Sequence, residues 1–266
     1  MRQRVLITGA SGLLGTWLLR TAPPVHDIVA ASHRTPLAGV ETSRVDLRDE
    51  AAVRVAVSRI EPTVIVHAAY DKNPESIVTA TKHVVDAAVD VGAAVVHVSS
   101  DTVFSGDGRR RDESSPIDAS SDYGRWKAAA EQPVLDSGGA VVRASLLVSV
   151  DPDDHGLRRL RAGRSDRSPS IWFCDEFRQP AWTSEVAEAL WRLVDLSGDD
   201  RAGCWHLPGP ERMSRLELAT RLADRAGLPA SAVAAGHRPP DTDRPADIVL
   251  GDARARRVIG WRPSPI

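Results

Sequence analysis

Residues 7–15 read ITGASGLLG, directly after the apolar run RVLIT at 4–8 and at the head of a helix-like segment at 13–20. Gly9 permits a tight turn, Gly12 lets backbone amides approach a pyrophosphate, and Gly15 lets a helix pack closely on a strand. The helix amino end then faces the phosphates, where its partial positive charge favours an anion. A glycine trio by itself is a weak signal, and a glycine-rich structural turn is the competing reading. The strand–turn–helix setting within a first βαβ unit tips the choice to a dinucleotide site. We assign Gly9, Ser11, Gly12, Leu13, Leu14 and Gly15 to it.

Working outward, short apolar runs rich in β-branched residues recur at 27–31, 63–69, 94–99 and 140–144. Helix-like segments at 49–60, 75–91 and 123–135 separate them. Buried strands alternating with helices argue for a parallel sheet covered on both faces. The expectation is an α/β, doubly wound (Rossmann) fold whose ligand lies at the carboxyl ends of the strands. After about residue 150 the pattern changes. A polar stretch leads to a strand-like IWFCDEF (171–177), a helix near 184–196, a short strand in GCWHLPG (203–209) and a helix near 214–226. Residues 1–150 therefore read as the nucleotide-binding domain. Residues 151–266 read as a smaller substrate-binding lobe, some of whose elements are free to rejoin the main sheet. Trp172, Trp182 and Trp205 read as core of that lobe, and Asp153-Asp154 as a solvated turn.

The composition excludes several classes. A net charge of −2 with 26% charged residues gives no reason to expect a nucleic-acid or membrane partner. Cys174 and Cys204 form no CxxC, and the eight histidines show no HxxxH spacing, so no metal is expected and a reduced, cytoplasmic setting fits. No stretch approaches the ~20 apolar residues of a membrane span.

The second apolar run ends in Ala31-Ser32-His33-Arg34. NAD-selective sites place an acid there for the ribose hydroxyls. Here a hydroxyl, an imidazole and a guanidinium stand instead, and His33 and Arg34 face the adenosine end, Arg34 being suited to grip a 2′-phosphate. The reading favours NADP(H), with NAD(H) as the other option and a solvated loop arginine as the ordinary alternative. Asp46 and Leu47 suit the adenine side, though Asp46 also suits a helix cap. Ala68, Ala69 and Tyr70 end the fourth run beside the same crevice, and Ser99 and Ser100 end the fifth. YGRWK then joins one of only two tyrosines, Tyr123, to one of only three lysines, Lys127. On a helix i and i+4 share a face. An ammonium beside a phenol favours the phenolate, lowering a pKa that otherwise lies near ~10. An exposed Tyr–Lys pair without chemistry is the bland alternative.

Together TGxxGxxG, the strand-end SSDTVF (99–104) and YxxxK resemble the extended short-chain dehydrogenase/reductase family, in particular its dTDP-4-dehydrorhamnose reductase-like, sugar-nucleotide-binding branch. VGAAVVHVSSDTVFSGDG (91–108), YGRWKAAAE, VRASLL, DEFRQPAWTSEVAEAL and RPADIVLGDARARRVIGW carry the likeness over most of the chain. The resemblance implies an oxidoreductase that sends hydride from a reduced nicotinamide to a carbonyl carbon. In it Ser100 hydrogen-bonds the carbonyl, Tyr123 donates the proton, and Lys127 activates Tyr123 and holds the nicotinamide ribose. It implies a keto group on a nucleotide-activated sugar as substrate, faced by Ser100, Asp101, Val103, Phe104 and Arg143, and a homodimer as the assembly.

Three positions depart from the family pattern. Ile77 stands where a relay asparagine belongs, Trp126 where a small residue usually precedes the lysine, and Ser100 where the branch commonly has Thr. Arg109, Arg110 and Arg111, and the cluster Arg158, Arg159, Arg161 and Arg164, suit a substrate diphosphate or, equally, solvated polar faces. Two rivals stay open. An epimerase or dehydratase would keep its cofactor and return the hydride, but no Asp-Glu pair accompanies Ser100. A non-catalytic NADP-binding subunit, like the regulatory partner of methionine adenosyltransferase, shares the fold, and Ile77 speaks for it.

Overall fold

Alternation along the apolar runs sends successive side chains to opposite faces of one sheet. On β1 (Arg4–Thr8), Val5 and Ile7 enter one core and Leu6 the other. The computed structural model describes residues 2–33, 37–152, 154–165 and 170–266. After β1 come α1 (Leu13–Arg20), β2 (Asp27–Ser32), β3 (Glu41–Arg44), α2 (Glu50–Ile60) and β4 (Val64–His67). The chain continues through α3 (Ala80–Val91), β5 (Ala94–Ser100), α4 (Asp122–Asp136), β6 (Ala140–Ala144), α5 (Thr183–Asp195) and β7 (Gly203–Leu207). These strands form one seven-stranded sheet in the order β7-β6-β5-β4-β1-β2-β3, with every pairing parallel. The doubly wound α/β class expected from the sequence is the fold observed. Strand order reverses between β1 and β4, where such sheets open a ligand crevice.

One face is covered by α1 and α5, whose Leu14, Leu18, Leu190 and Trp191 pack with Val5, Ile7, Val66 and Val96. The Trp191 indole also donates to the Leu18 carbonyl at 3.2 Å, pinning the two helices together. The other face is covered by α2 and α3, through Val53, Val57, Val84 and Ala88 against Leu6, Val29, Ile65 and Val95. Asp49 caps α2 by accepting the Ala52 N–H at 3.0 Å.

A second, four-stranded sheet is built from Met213–Ser214, Phe177–Arg178, Asp247–Leu250 and Asp107–Arg111. The main sheet thus draws β7 from beyond residue 150, and the second sheet draws one strand from before it. Trp205 on β7 is fully buried in the main core, not in the smaller lobe where it was expected. Trp172 does lie in a separate cluster, with Leu157, Leu160, Leu218 and Leu222.

Three local expectations need correcting. The run at 171–177 is two strands: Ser170–Phe173 pairs with Val233–Gly236, a turn follows, and Phe177–Arg178 enters the second sheet. The helix at 75–91 begins as a π turn, Glu75–Thr79, before α3. Of the turn at 153–154, Asp153 lies outside the described residues. Asp154 is buried and accepts the Leu157 and Ser149 N–H groups at 2.6 and 3.1 Å, which caps the following helix. Among the described residues no helix is long and apolar enough to cross a membrane.

Candidate functional site

The turn after β1 is shaped by what its glycines exclude. Gly9 adopts φ +71°, and a Cβ there would lie 2.7 Å from the Ala69 backbone just past β4. A Cβ on Gly15 would lie 2.2 Å from the Gly9 carbonyl oxygen. Gly12 holds the N-cap position of α1, its N–H donating to Gly9 O at 2.9 Å, with no side-chain cap and no acid in the first turn. The opening amides of α1, on Leu13, Leu14 and Gly15, are therefore available to an anion. Ser11 is exposed beside them. This cradle fits a pyrophosphate.

At the adenosine end, His33 follows β2 and its Nε2 lies 3.6 Å from Asp46 Oδ2. Asp46 is gripped at both oxygens by Arg48, at 3.0 and 2.7 Å, and that pairing holds its carboxyl well below the usual range. Asp46 is thus a partner of Arg48, and the cap of α2 is Asp49. Leu47 packs against the α2–α3 core while its carbonyl meets the His83 ring at 3.1 Å. Arg34 lies outside the described residues.

At the carboxyl end of β5 the two serines face different partners. Ser99 donates to buried Glu131 at 2.5 Å. Ser100 ends the strand, its Oγ accepting the Thr102 N–H at 3.2 Å and the Thr102 hydroxyl at 2.9 Å. Ser121 caps α4 through the Gly124 N–H at 3.1 Å. A Cβ on Gly124 would stand 2.1 Å from the Thr102 carbonyl, so a glycine here lets α4 dock directly on the loop after Ser100. That docking delivers Tyr123 and Lys127. The Tyr123 ring lies 6.1 Å from the Tyr70 ring, and Lys127 Nζ sits 4.8 Å from the centre of the same Tyr70 ring. Tyr70, Ser100, Tyr123 and Lys127 converge beyond the ends of β4 and β5.

The electrostatics differ from the sequence expectation. Lys127 and Tyr123 share a helix face, yet Nζ donates to the Val98 carbonyl at 3.0 Å and does not depress the phenol. Burial pushes the Tyr123 pKa up, Tyr70 and Asp101 push the same way, and Ser100 pulls back only partly. The phenol is a held acid at neutral pH. Burial lowers Lys127 to about 8, against the opposing pull of Glu131.

A stability test follows from Lys127. Between about 8 and its ordinary 10.5 the unfolded chain binds the proton that the folded chain has lost, so folding stability rises with pH through that window. At ~1.4 kcal/mol per pH unit the full swing is about 3 kcal/mol. Denaturant titrations from pH 7 to 10 should show this rise over a Lys127→Met control. Equal pH slopes in the two proteins would refute it.

Four residues expected to face substrate are internal. Asp101 is 3% exposed, its carboxylate accepting from Ser145 at 2.7 Å and Ser100 at 3.3 Å, with Arg178 Nε 3.7 Å away. Burial pushes its pKa up while Arg178 opposes. Val103 and Phe104 are fully buried in a small core with Ile248 and Leu250, because the turn Asp101–Val103 tucks them under the second sheet. Arg143 is 3% exposed and paired with Glu131, its Nη2 at 2.7 Å and Nε at 3.1 Å. Ile77 is buried in the π turn. Arg109, Arg110 and Arg111 lie on a strand of the second sheet beside Asp107, Asp252 and Asp118. Arg159 stacks 4.8 Å from the Trp172 ring centre.

A buried polar chain under the site had no expectation attached. The Ala69 N–H donates to Thr8 Oγ1 at 3.3 Å, and Thr8 Oγ1 meets His67 Nδ1 at 2.7 Å. His67 Nε2 meets Thr81 Oγ1 at 3.0 Å, and Thr81 donates to the Ile77 carbonyl at 2.6 Å. Burial lowers His67 to about 3, so it is neutral. His97 lies opposite it on β5, rings 5.1 Å apart. The signal was present: each histidine sits three positions before a site residue, Tyr70 or Ser100.

Residues 3–265 match the family model described as RmlD substrate binding domain. The chain belongs to that family. As an RmlD-family protein it is 30% identical over 279 residues to methionine adenosyltransferase 2 subunit beta of Pongo abelii, across 96% of this chain and 79% of that one. It is also 30% identical over 222 residues to dTDP-4-dehydrorhamnose reductase of Streptomyces griseus, across 77% of this chain and 70% of the reductase. Its fold is shared with the solved dTDP-4-dehydrorhamnose reductase of Bacillus anthracis in complex with NADP, at TM-score 0.82 and 23% identity, covering 100% of this chain and 94% of that one. The resemblance read from the motifs to the dTDP-4-dehydrorhamnose reductase-like branch holds for this RmlD-family chain.

Proposed function

We propose that this protein is an NADPH-dependent reductase of a keto group on a nucleotide-activated sugar. The observation that carries the reading is the meeting of Ser100, Tyr123 and Lys127 beyond β5, beside a glycine cradle at the reversal of strand order. The relationship to the Streptomyces griseus reductase supports the substrate class. Ser32 and His33, standing where NAD-selective sites carry an acid, support NADP(H), as does the NADP held by the similar fold. We assign the main-sheet side of the crevice to cofactor and the second-sheet side to substrate.

The cofactor, when bound at the cradle, supplies the hydride. Ser100 donates a hydrogen bond to the carbonyl oxygen, and Tyr123 gives that oxygen its proton. A phenol kept protonated by burial suits this task, because the developing alkoxide is far more basic than a phenolate. Lys127 would hold the nicotinamide ribose, and its ammonium is the group that titrates near working pH.

A second reading has its own support. The subunit-beta relatives match nearly the whole chain, and Ile77 stands in place of a polar relay residue. A non-catalytic subunit would keep the cradle without turnover. The deciding experiment mixes the protein and NADPH with a panel of 4-keto-6-deoxyhexose nucleotides and follows loss of NADPH absorbance. Turnover is expected; tight NADPH binding with no turnover on any member replaces the reductase with the subunit.

A further inference from the structure

The parallel strands Ser170–Phe173 and Val233–Gly236 end together, with Phe173 opposite Gly236. The Cys174 N–H continues the pairing by donating to Gly236 O at 2.9 Å. The next side chains, on Cys174 and His237, therefore leave the strand ends side by side. Cys174 Sγ lies 3.5 Å from His237 Nδ1 and 3.8 Å from Nε2. Asp175 adds a carboxylate whose Oδ2 is 3.8 Å from the same Nδ1. Ligating atoms of all three residues lie within 4.8 Å of one another. Spacing along the chain does not reveal this cluster, because Cys174 and His237 are separated by 63 positions and follow no metal-binding pattern.

We propose that Cys174, Asp175 and His237 form a binding site for Zn²⁺ or a similar borderline-soft divalent ion, with its fourth position open to solvent. A thiolate and an imidazole about 2.3 and 2.0 Å from a tetrahedral zinc stand about 3.5 Å apart, which is the Cys174–His237 separation found here. The donor set excludes the all-oxygen cations: Mg²⁺ and Ca²⁺ take carboxylates, carbonyls and water, whereas sulfur with imidazole selects Zn²⁺ and Co²⁺. Two of the three ligands are already placed. Backbone pairing fixes Cys174, and the Arg238 N–H holds Asp175 Oδ1 at 2.9 Å, leaving Oδ2 toward His237. His237 is exposed, so its ring turns freely to close the site. Arg238 Nε, 3.7 Å from Oδ2, competes with the ion for that oxygen. No residue of the nucleotide crevice takes part, so the site stands apart from the reductase reading.

The test is a Co²⁺ titration of the full chain under a non-thiol reductant, followed by displacement with Zn²⁺. A thiolate-to-cobalt charge-transfer band is expected, and Zn²⁺ should abolish it. Cys174→Ser should lose the band, and His237→Ala should weaken Co²⁺ binding at least about tenfold, as loss of even an outer-shell partner does. Cys204→Ser should keep both, because that thiol lies on β7. His237 is exposed, so its variant folds and keeps the test decisive even if the Cys174 variant does not. Absence of the band in the unaltered protein, its persistence in Cys174→Ser, or unchanged affinity in His237→Ala would overturn the site.

Discussion

Replacing Tyr123 by Phe removes one oxygen and is expected to lower turnover on a keto-sugar nucleotide by about 10²–10⁴-fold, the usual worth of a positioned acid. Most of the loss should fall in kcat, with NADPH affinity little changed, because the ring remains to pack against Tyr70. The raised phenol pKa sharpens the prediction. Burial, Tyr70 and Asp101 keep the proton on Tyr123, so the phenol adds no alkaline limb to the rate profile between pH 6 and about 10. The limb belongs to Lys127: below about 8 its ammonium is present to hold the nicotinamide ribose, and above that it is lost. Rate should therefore fall as pH rises through that value. A Tyr123→Phe enzyme with near-normal kcat would remove the acid from the scheme, whatever the cofactor affinity.

The fold was open to sequence reading because its physics is local. Runs such as RVLIT and AVVHVS bury both faces, and each is followed by a helix whose apolar stripe must return to the sheet. The glycine turn was equally open, since Gly9 and Gly15 sit where a Cβ would strike backbone. Side-chain direction was not. The i,i+4 spacing correctly puts Tyr123 and Lys127 on one face, but the ammonium answers to the Val98 carbonyl, a partner 29 residues away that helix spacing does not encode. Likeness to a family motif placed Val103 and Phe104 near the substrate along the chain and could not tell that they turn inward. Arg143, expected to face substrate, turns inward as well. A charged residue within the otherwise apolar AVVRA, buried at every position, requires a buried partner. The available carboxylate was Glu131, two turns along the helix from Tyr123.

That partner carries the second large effect. Glu131 and Arg143 are 1% and 3% exposed, with Ser99 and His206 completing their contacts. Burial disfavours the Arg143 charge, but the Glu131 hydrogen bonds outweigh it and hold the guanidinium charged. Removing one partner strands the other as an uncompensated buried charge, so Glu131→Leu or Arg143→Met alone should each destabilise the fold by about 3–5 kcal/mol. The double variant should recover most of that loss, since apolar groups of similar volume commonly replace a buried pair at little cost. Denaturant melts of the singles and the double form the required cycle. Single losses under about 1 kcal/mol would show the pair to be indifferent. The milder Glu131→Gln reaches the chemistry as well. Glu131 is the charge that holds the Lys127 pKa up against burial. Neutralising it should therefore move the alkaline limb of the rate profile to lower pH, a displacement that loss of stability alone does not produce.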